Sequence, residues 1–241
     1  MSGRVGPSIV TDGLVFYVDA ANPKSYISGS TTTDNLVGNG NGSLINGTDF
    51  STDNQGTWVF DGTDSYINFD EFPELKLTTE FTIDVWVKAN IELPDDGFGQ
   101  IISKPTSNSN TPFFLYTLRQ SWPGAGSYWQ FLINGVNMKF IGSVSTTPSS
   151  VDEWVNIICV FNGNTQIMEI FINGISKESL NTGWSSILDE TSDVYIGASK
   201  VLGTPAQFFG GHISNVQVYN RALLADEVLQ NYNALKGRFG L

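Results

Sequence analysis

The sequence predicts an all-β fold, a sandwich of two antiparallel sheets with a short helix near the C-terminus. Three observations carry that expectation. Strand-length segments with period-two alternation recur along the 241 residues. Short apolar runs end in Asn-Gly at Leu44-Ile-Asn-Gly47, Leu132-Ile-Asn-Gly135 and Phe171-Ile-Asn-Gly174, and charged residues make up only 15% of the chain, against roughly a quarter in an average domain. Asn-Gly is a strong hairpin cue because both residues tolerate positive φ. Polarity comes instead from Asn, Ser, Thr and Gly, which supply the backbone angles of turns. The length suits one large sandwich with a substantial core.

Along the chain, residues 1–12 read as an N-terminal arm, 13–235 as the sandwich domain and 236–241 as a C-terminal tail. Gly3, Gly6 and Pro7 suit an extended strap rather than a packed element, so Arg4, Val5 and Pro7 are expected to contact neighbouring copies or other proteins. Apolar runs on either side of Asp61-Gly62-Thr63-Asp64 predict a hairpin over 58–69. In 81–88, Phe81, Ile83, Val85 and Val87 share one face, while Thr82, Asp84, Trp86 and Lys88 form a polar second face with one aromatic. Further strands are expected at 100–104, 113–118, 128–133, 138–141, 166–172 and 194–196. The nearly continuous apolar run 154–161 predicts a strand covered on both faces. In 225–235, Val228, Leu229, Tyr232 and Leu235 fall on one helical stripe. Leu224 stands where a capping Ser is usual, although Glu227 follows three residues later. Asp226 as cap, or packing of the first turn, are the alternatives.

Twelve basic against 24 acidic residues give a net charge of −12. A field of that sign repels phosphate backbones, which argues against nucleic-acid partners. No apolar run reaches the length of a signal peptide or a membrane span, so synthesis in a cytoplasm without membrane insertion is expected. The single cysteine, Cys159, lies in an apolar run and reads as a core thiol. His212 is the only histidine, and no Gly-x-Ser-x-Gly elbow accompanies it, which leaves a Ser-His-Asp site or a zinc site without components. No cofactor follows from the residues. Aromatics remain as ligand apparatus, because sugar rings stack on Tyr and Trp while hydroxyls pair with Asn, Asp and Gln. Trp122 stands in a Pro- and Gly-rich loop, with Tyr128 and Trp129 at the following strand start. Trp86 beside Asp84, and Phe208-Phe209, are further candidates.

Two strings go further. Phe60-Asp-Gly-Thr-Asp-Ser-Tyr-Ile67 and Val216-Gln-Val-Tyr-Asn-Arg-Ala-Leu-Leu-Ala-Asp-Glu227 resemble the opening hairpin and the strand-to-helix exit of concanavalin A-like, laminin-G-like domains. Gly13 to Tyr26 and Asn35-Leu-Val-Gly-Asn-Gly-Asn41 extend the likeness, which looks most like domains in virion proteins of tailed bacteriophages. The resemblance implies a jelly-roll sandwich on a virion surface, decorating a capsid or forming part of a tail or fibre. Its partners would be other virion proteins or copies of itself, and host or environmental glycans. A freestanding carbohydrate-binding module and a glycan-cleaving enzyme are the alternatives. Glucanase relatives place catalytic carboxylates at i and i+2 of one strand. None of the 24 acidic residues here has an acidic residue two positions away, so a non-catalytic domain is expected. The family also admits a structural calcium ion, held by an Asp before the exit motif and a carbonyl near the hairpin glycine. The matching positions are Asn215 and Gly62, and the family Asp before the Gly-Asn-Gly loop is Asn35. A neutral amide brings no charge to a hard cation.

Overall fold

The computed structural model describes residues 7–90, 97–106, 114–121, 128–133, 139–143, 152–188 and 190–241. Among these, two eight-stranded antiparallel sheets face one another. The first runs in the order Ile175–Asn181, Ile167–Ile172, Val155–Asn162, Glu80–Ala89, Gly210–Tyr219, Thr57–Asp61, Asp49–Ser51, and Leu14–Asp19 also pairs with Gly210–Tyr219. The second runs Lys139–Ser143, Tyr128–Ile133, Phe114–Ser121, Phe98–Pro105, Val194–Ile196, Tyr66–Phe69, Asn41–Ile45, Thr32–Asp34. A two-stranded hairpin of Ser199–Val201 and Thr204–Ala206 leans on the second sheet.

Alternation explains the core. Phe81, Ile83, Val85 and Val87 point inward beside Ile157, Cys159 and Phe161, and meet Tyr116, Phe131 and Ile196 of the opposite sheet. The Phe81 ring lies 5.3 Å from Tyr116 and 6.0 Å from Phe131, so aromatic pairs bridge the two layers. Expected strands at 128–133 and 194–196, and the helix at 225–235, coincide with observed elements; the others shift at their ends by one to three residues. Asn134-Gly135 lies outside the described residues. Buried Cys159 has its thiol pushed up by desolvation and by the nearby Asp84 charge, which suits an inert core residue.

The other face of Glu80–Ala89 departs from expectation. Thr82, Asp84 and Trp86 are fully buried rather than solvated. The reason lies more than 140 residues downstream, where the helix Ala225–Leu235 and the turn Lys236–Phe239 fold back over the sheet. Trp86 stacks on Phe239 at 4.1 Å and on Tyr232 at 5.9 Å, with ring planes within 11°. Asp84 accepts hydrogen bonds from Asn156 Nδ2 (2.7 Å) and Asn231 Nδ2 (2.9 Å), so strand and helix both anchor on one carboxylate.

Both chain ends described here pack on the domain. Asn231 Oδ1 accepts the Val10 N–H (2.8 Å), and the Tyr219 hydroxyl donates to the Val10 carbonyl (3.0 Å). Val10 is buried in a second apolar cluster with Tyr219, Leu223 and Val228. Residues 8–12 therefore dock on their own domain instead of hanging free as a strap, with Pro7 exposed just before them. Arg4 and Val5 lie outside the described residues. The tail docks too, since Phe239 is buried and Arg238 pairs with Asp19 at 2.9 Å.

The helix start uses half a capping box. Glu227 accepts the Leu224 N–H (2.8 Å), while Leu224 itself has no oxygen to return a bond. Arg221 clamps the same carboxylate at 2.7 and 2.6 Å. Asp226 is not the cap.

Two predictions follow from this architecture. Desolvation raises the Asp84 carboxyl to about 6, against the lowering effect of the Asn156 and Asn231 bonds. A raised carboxylate pKa means that the folded state binds a proton the unfolded state has already lost. The stabilisation is present below about pH 4 and disappears as pH rises through about 6, a change of about 2–3 kcal/mol. Subtracting the Asp84→Asn stability profile from that of the wild type, by urea denaturation across pH 4–8, should reveal this slope; a flat difference would contradict it. At the hairpin, Gly62 has φ of 74°. Asp61 Oδ1 there accepts the N–H groups of Thr63, Asp64 and Ser65. Gly62→Val places a β-branched residue in the left-handed region and should cost more than about 1 kcal/mol. An unchanged melting temperature would show that the turn tolerates a side chain.

Candidate functional site

Among the described residues no helix covers the outer face of the second sheet, and register determines which side chains reach it. Phe98 and Tyr128 both stand opposite Ser121, while Gln100 and Gln130 both stand opposite Arg119. Period two therefore puts Phe98, Gln100, Arg119, Tyr128 and Gln130 on one face. The Arg119 guanidinium lies 3.9 Å from the Phe98 ring centroid, and its Nε donates to Gln130 Oε1 at 3.0 Å. Burial lowers Arg119 from 12.5 to about 10, which leaves it charged at neutral pH.

A second group lies across the same face. Asn68 stands opposite Tyr195, and Tyr66 lies 5.9 Å from the Tyr195 ring and 6.2 Å from Phe208. The Tyr195 hydroxyl donates to Asp193 (3.1 Å), and Asn68 Nδ2 donates to Asp70 (2.8 Å). Burial, then the Asp193 charge, pushes the Tyr195 hydroxyl well up; burial alone raises Tyr66. Both stay neutral donors and acceptors. Asn68 Oδ1 has no partner among the described residues.

Between these groups the sheet is covered. Ser103 donates to the Ala198 carbonyl at 2.8 Å, and Gln100 Nε2 bonds Gln207 Oε1 at 2.6 Å, so the segment around the Ser199–Ala206 hairpin closes over the middle. Gln207 sits at φ of 58°, an uncommon angle for a residue with a side chain. Among the described residues the result is two groups, each with aromatic faces beside amides.

The residues expected from sequence divide among several places. Tyr128 is half-buried in the Arg119 patch. Trp129, one residue on, points the opposite way and is buried in the core at 4% exposure, because neighbours in a strand alternate. Trp122 lies outside the described residues. Asp84 and Trp86 are excluded from ligand contact by the helix and turn above them. Phe209 is a core residue, whereas Phe208 joins the Tyr66 patch. His212 is a structural residue whose Nδ1 lies 3.1 Å from the Thr57 hydroxyl.

Gly62 and Asn215 do not form a cation clamp. The Gly62 N–H binds the Phe209 carbonyl at 3.1 Å, beside the Gly210 end of the last strand. Asn215 lies five residues further along, about 17 Å at the rise of an extended strand, buried beside Asp19. Asn35 is likewise occupied, accepting the Tyr17 N–H at 2.9 Å and closing its own loop.

Sequence comparison agrees with this architecture. The model of the family Laminin_G_3, described as the concanavalin A-like lectin/glucanases superfamily, matches residues 61–229. The chain belongs to this family. The match begins at the Asp61 hairpin and ends in the helix that covers Trp86. No curated protein sequence matches the chain. Solved structures of similar fold include the binding domain of Paraclostridial Mosquitocidal Protein 1, at 16% identity and TM-score 0.69, covering 92% of this chain and 52% of that one. The binding domain of botulinum neurotoxin DC in complex with SialylT is similar at 12% identity and TM-score 0.69, covering 93% and 52%. The heptameric SAP-like pentraxin of Limulus polyphemus matches at 19% identity and TM-score 0.56, covering 71% and 78%. The chain thus spans about half the length of the toxin domains. At such identities the likeness is one of fold.

Because Trp86 is an internal anchor, Trp86→Ala should destabilise the domain by about 3–5 kcal/mol. Calorimetry would check this, and a loss below 1 kcal/mol would show that the stack contributes little.

Proposed function

We propose that this chain is a non-catalytic, lectin-like glycan-binding module displayed on a bacteriophage virion, as a capsid decoration or a component of a tail or fibre. The observation that carries the glycan reading is the pair of aromatic and amide groups on the outer face of the second sheet. Tyr128 and Phe98 with Gln130, and Tyr66 and Phe208 with Asn68, combine ring faces with groups that both donate and accept. Such a combination suits hydroxyl-rich rings. The similar botulinum neurotoxin type C, which enters cells dependent upon interaction with two ganglioside molecules, and the SialylT complex support the reading by analogy of fold. The virion setting rests on the likeness of the hairpin and exit strings to those of tailed-phage proteins.

The test is direct. Purified protein should bind immobilised host polysaccharide, and Tyr128→Ala or Tyr66→Ala should weaken binding while leaving the melting temperature within a few degrees. Antibody labelling of intact phage particles by electron microscopy should place the protein on the particle surface; absence from purified particles would leave the freestanding module. Asp70 and Asp193 stand at the ends of neighbouring strands, so a hydrolase would find its carboxylates there. Release of reducing ends that disappears in Asp70→Asn or Asp193→Asn would replace the non-catalytic reading.

A further inference from the structure

Arg119 is an unusual charge among the described residues. The other described arginines have carboxylate partners, Arg221 with Glu227 and Asp12, and Arg238 with Asp19. Among the described residues the partners of Arg119 are neutral: the Phe98 ring below it and Gln130 on its Nε. Its Nη1 and Nη2 have no partner among the described residues, although acidic residues outnumber basic ones 24 to 12. A half-buried cation loses hydration, and without a counter-ion nothing returns that loss. Stacking on Phe98 and the bond to Gln130 fix the guanidinium plane while leaving two donors in the fork geometry that fits a carboxylate.

Resting on the glycan reading above, we infer that Arg119 receives the carboxylate of an acidic saccharide. The ligand class is a glycan with a sialic or uronic acid unit, its carboxylate on Arg119 and its ring against Tyr128. Gln130 acts as a positioning residue, holding the guanidinium from the side away from the fork. The net charge of −12 makes this a selective arrangement, because the surrounding field opposes anions that cannot reach the fork.

The test uses a saccharide array carrying sialylated and uronic-acid glycans, the methyl ester of each, and neutral glycans. The full chain should bind at least one carboxylated glycan, and methyl esterification should weaken that binding by about tenfold or more. Arg119→Gln should weaken binding of the same carboxylated glycan by about tenfold or more. Equal binding of acid and ester, or an Arg119→Gln variant within twofold of wild type, overturns the inference and leaves the glycan reading standing. The ester comparison is made on the wild-type protein, so it decides the matter even if Arg119→Gln fails to fold. Binding to no glycan on the array overturns both.

Discussion

Asp84 is buried at 0% exposure on what would ordinarily be the wet face of a sheet. Burying a carboxylate is costly unless donors surround it, so whatever covers this strand must bring hydrogen-bond donors as well as apolar surface. The C-terminal helix does both at once. Asn231 reaches Asp84, Tyr219 and Val10 together, and Tyr232, with Phe239 from the turn that follows, encloses Trp86. The strand Val155–Asn162, the last strand, the helix and the N-terminal segment are thereby tied to one carboxylate. Removing any of them would expose the others.

That cover closes one face of the first sheet at Glu80–Ala89, so the ring faces of Tyr66, Tyr128 and Phe208 lie on the second sheet. Its centre is closed by the Ser199–Ala206 hairpin, which leaves one group on either side. Each group holds rings prearranged by strand register and therefore needs little ordering on binding. The same layered logic explains why residues 8–12 and the C-terminal tail pack inward. They complete the cover over a polar surface that no aqueous face could share.

Much of the fold was legible because it is local. Period-two alternation located the strands, and Val228, Leu229, Tyr232 and Leu235 located the helix to its observed limits. The assignment of Thr82, Asp84 and Trp86 to solvent failed for a physical reason. Alternation reports that two faces differ, and polar residues hide in a covered face when partners distant in sequence satisfy them. Asn231 is 147 residues from Asp84, a separation no window can bridge. The candidate site was legible at Tyr128 and Phe208. Arg119 stood one residue beyond the expected end of its strand, and Tyr66 lay inside a hairpin read for its turn. Their meaning comes from register, since Phe98, Arg119 and Gln130 meet only once three strands are aligned. Trp129 shows the converse: an aromatic beside a loop was read as surface, and a single alternation step placed it in the core.

If these groups hold a glycan as proposed, one stacked ring and one bidentate carboxylate contact, less the cost of immobilising a sugar, leave millimolar binding, about −4 kcal/mol. A single domain with that affinity would hold nothing for long. Repetition changes the outcome, because tethered copies meet the same polysaccharide at high effective concentration and can raise avidity by roughly 10²–10⁴ without any new contact. On the glycan reading, a module of this kind must stay folded while it slides along a polymer, and its grip must be the sum of many contacts that each release easily.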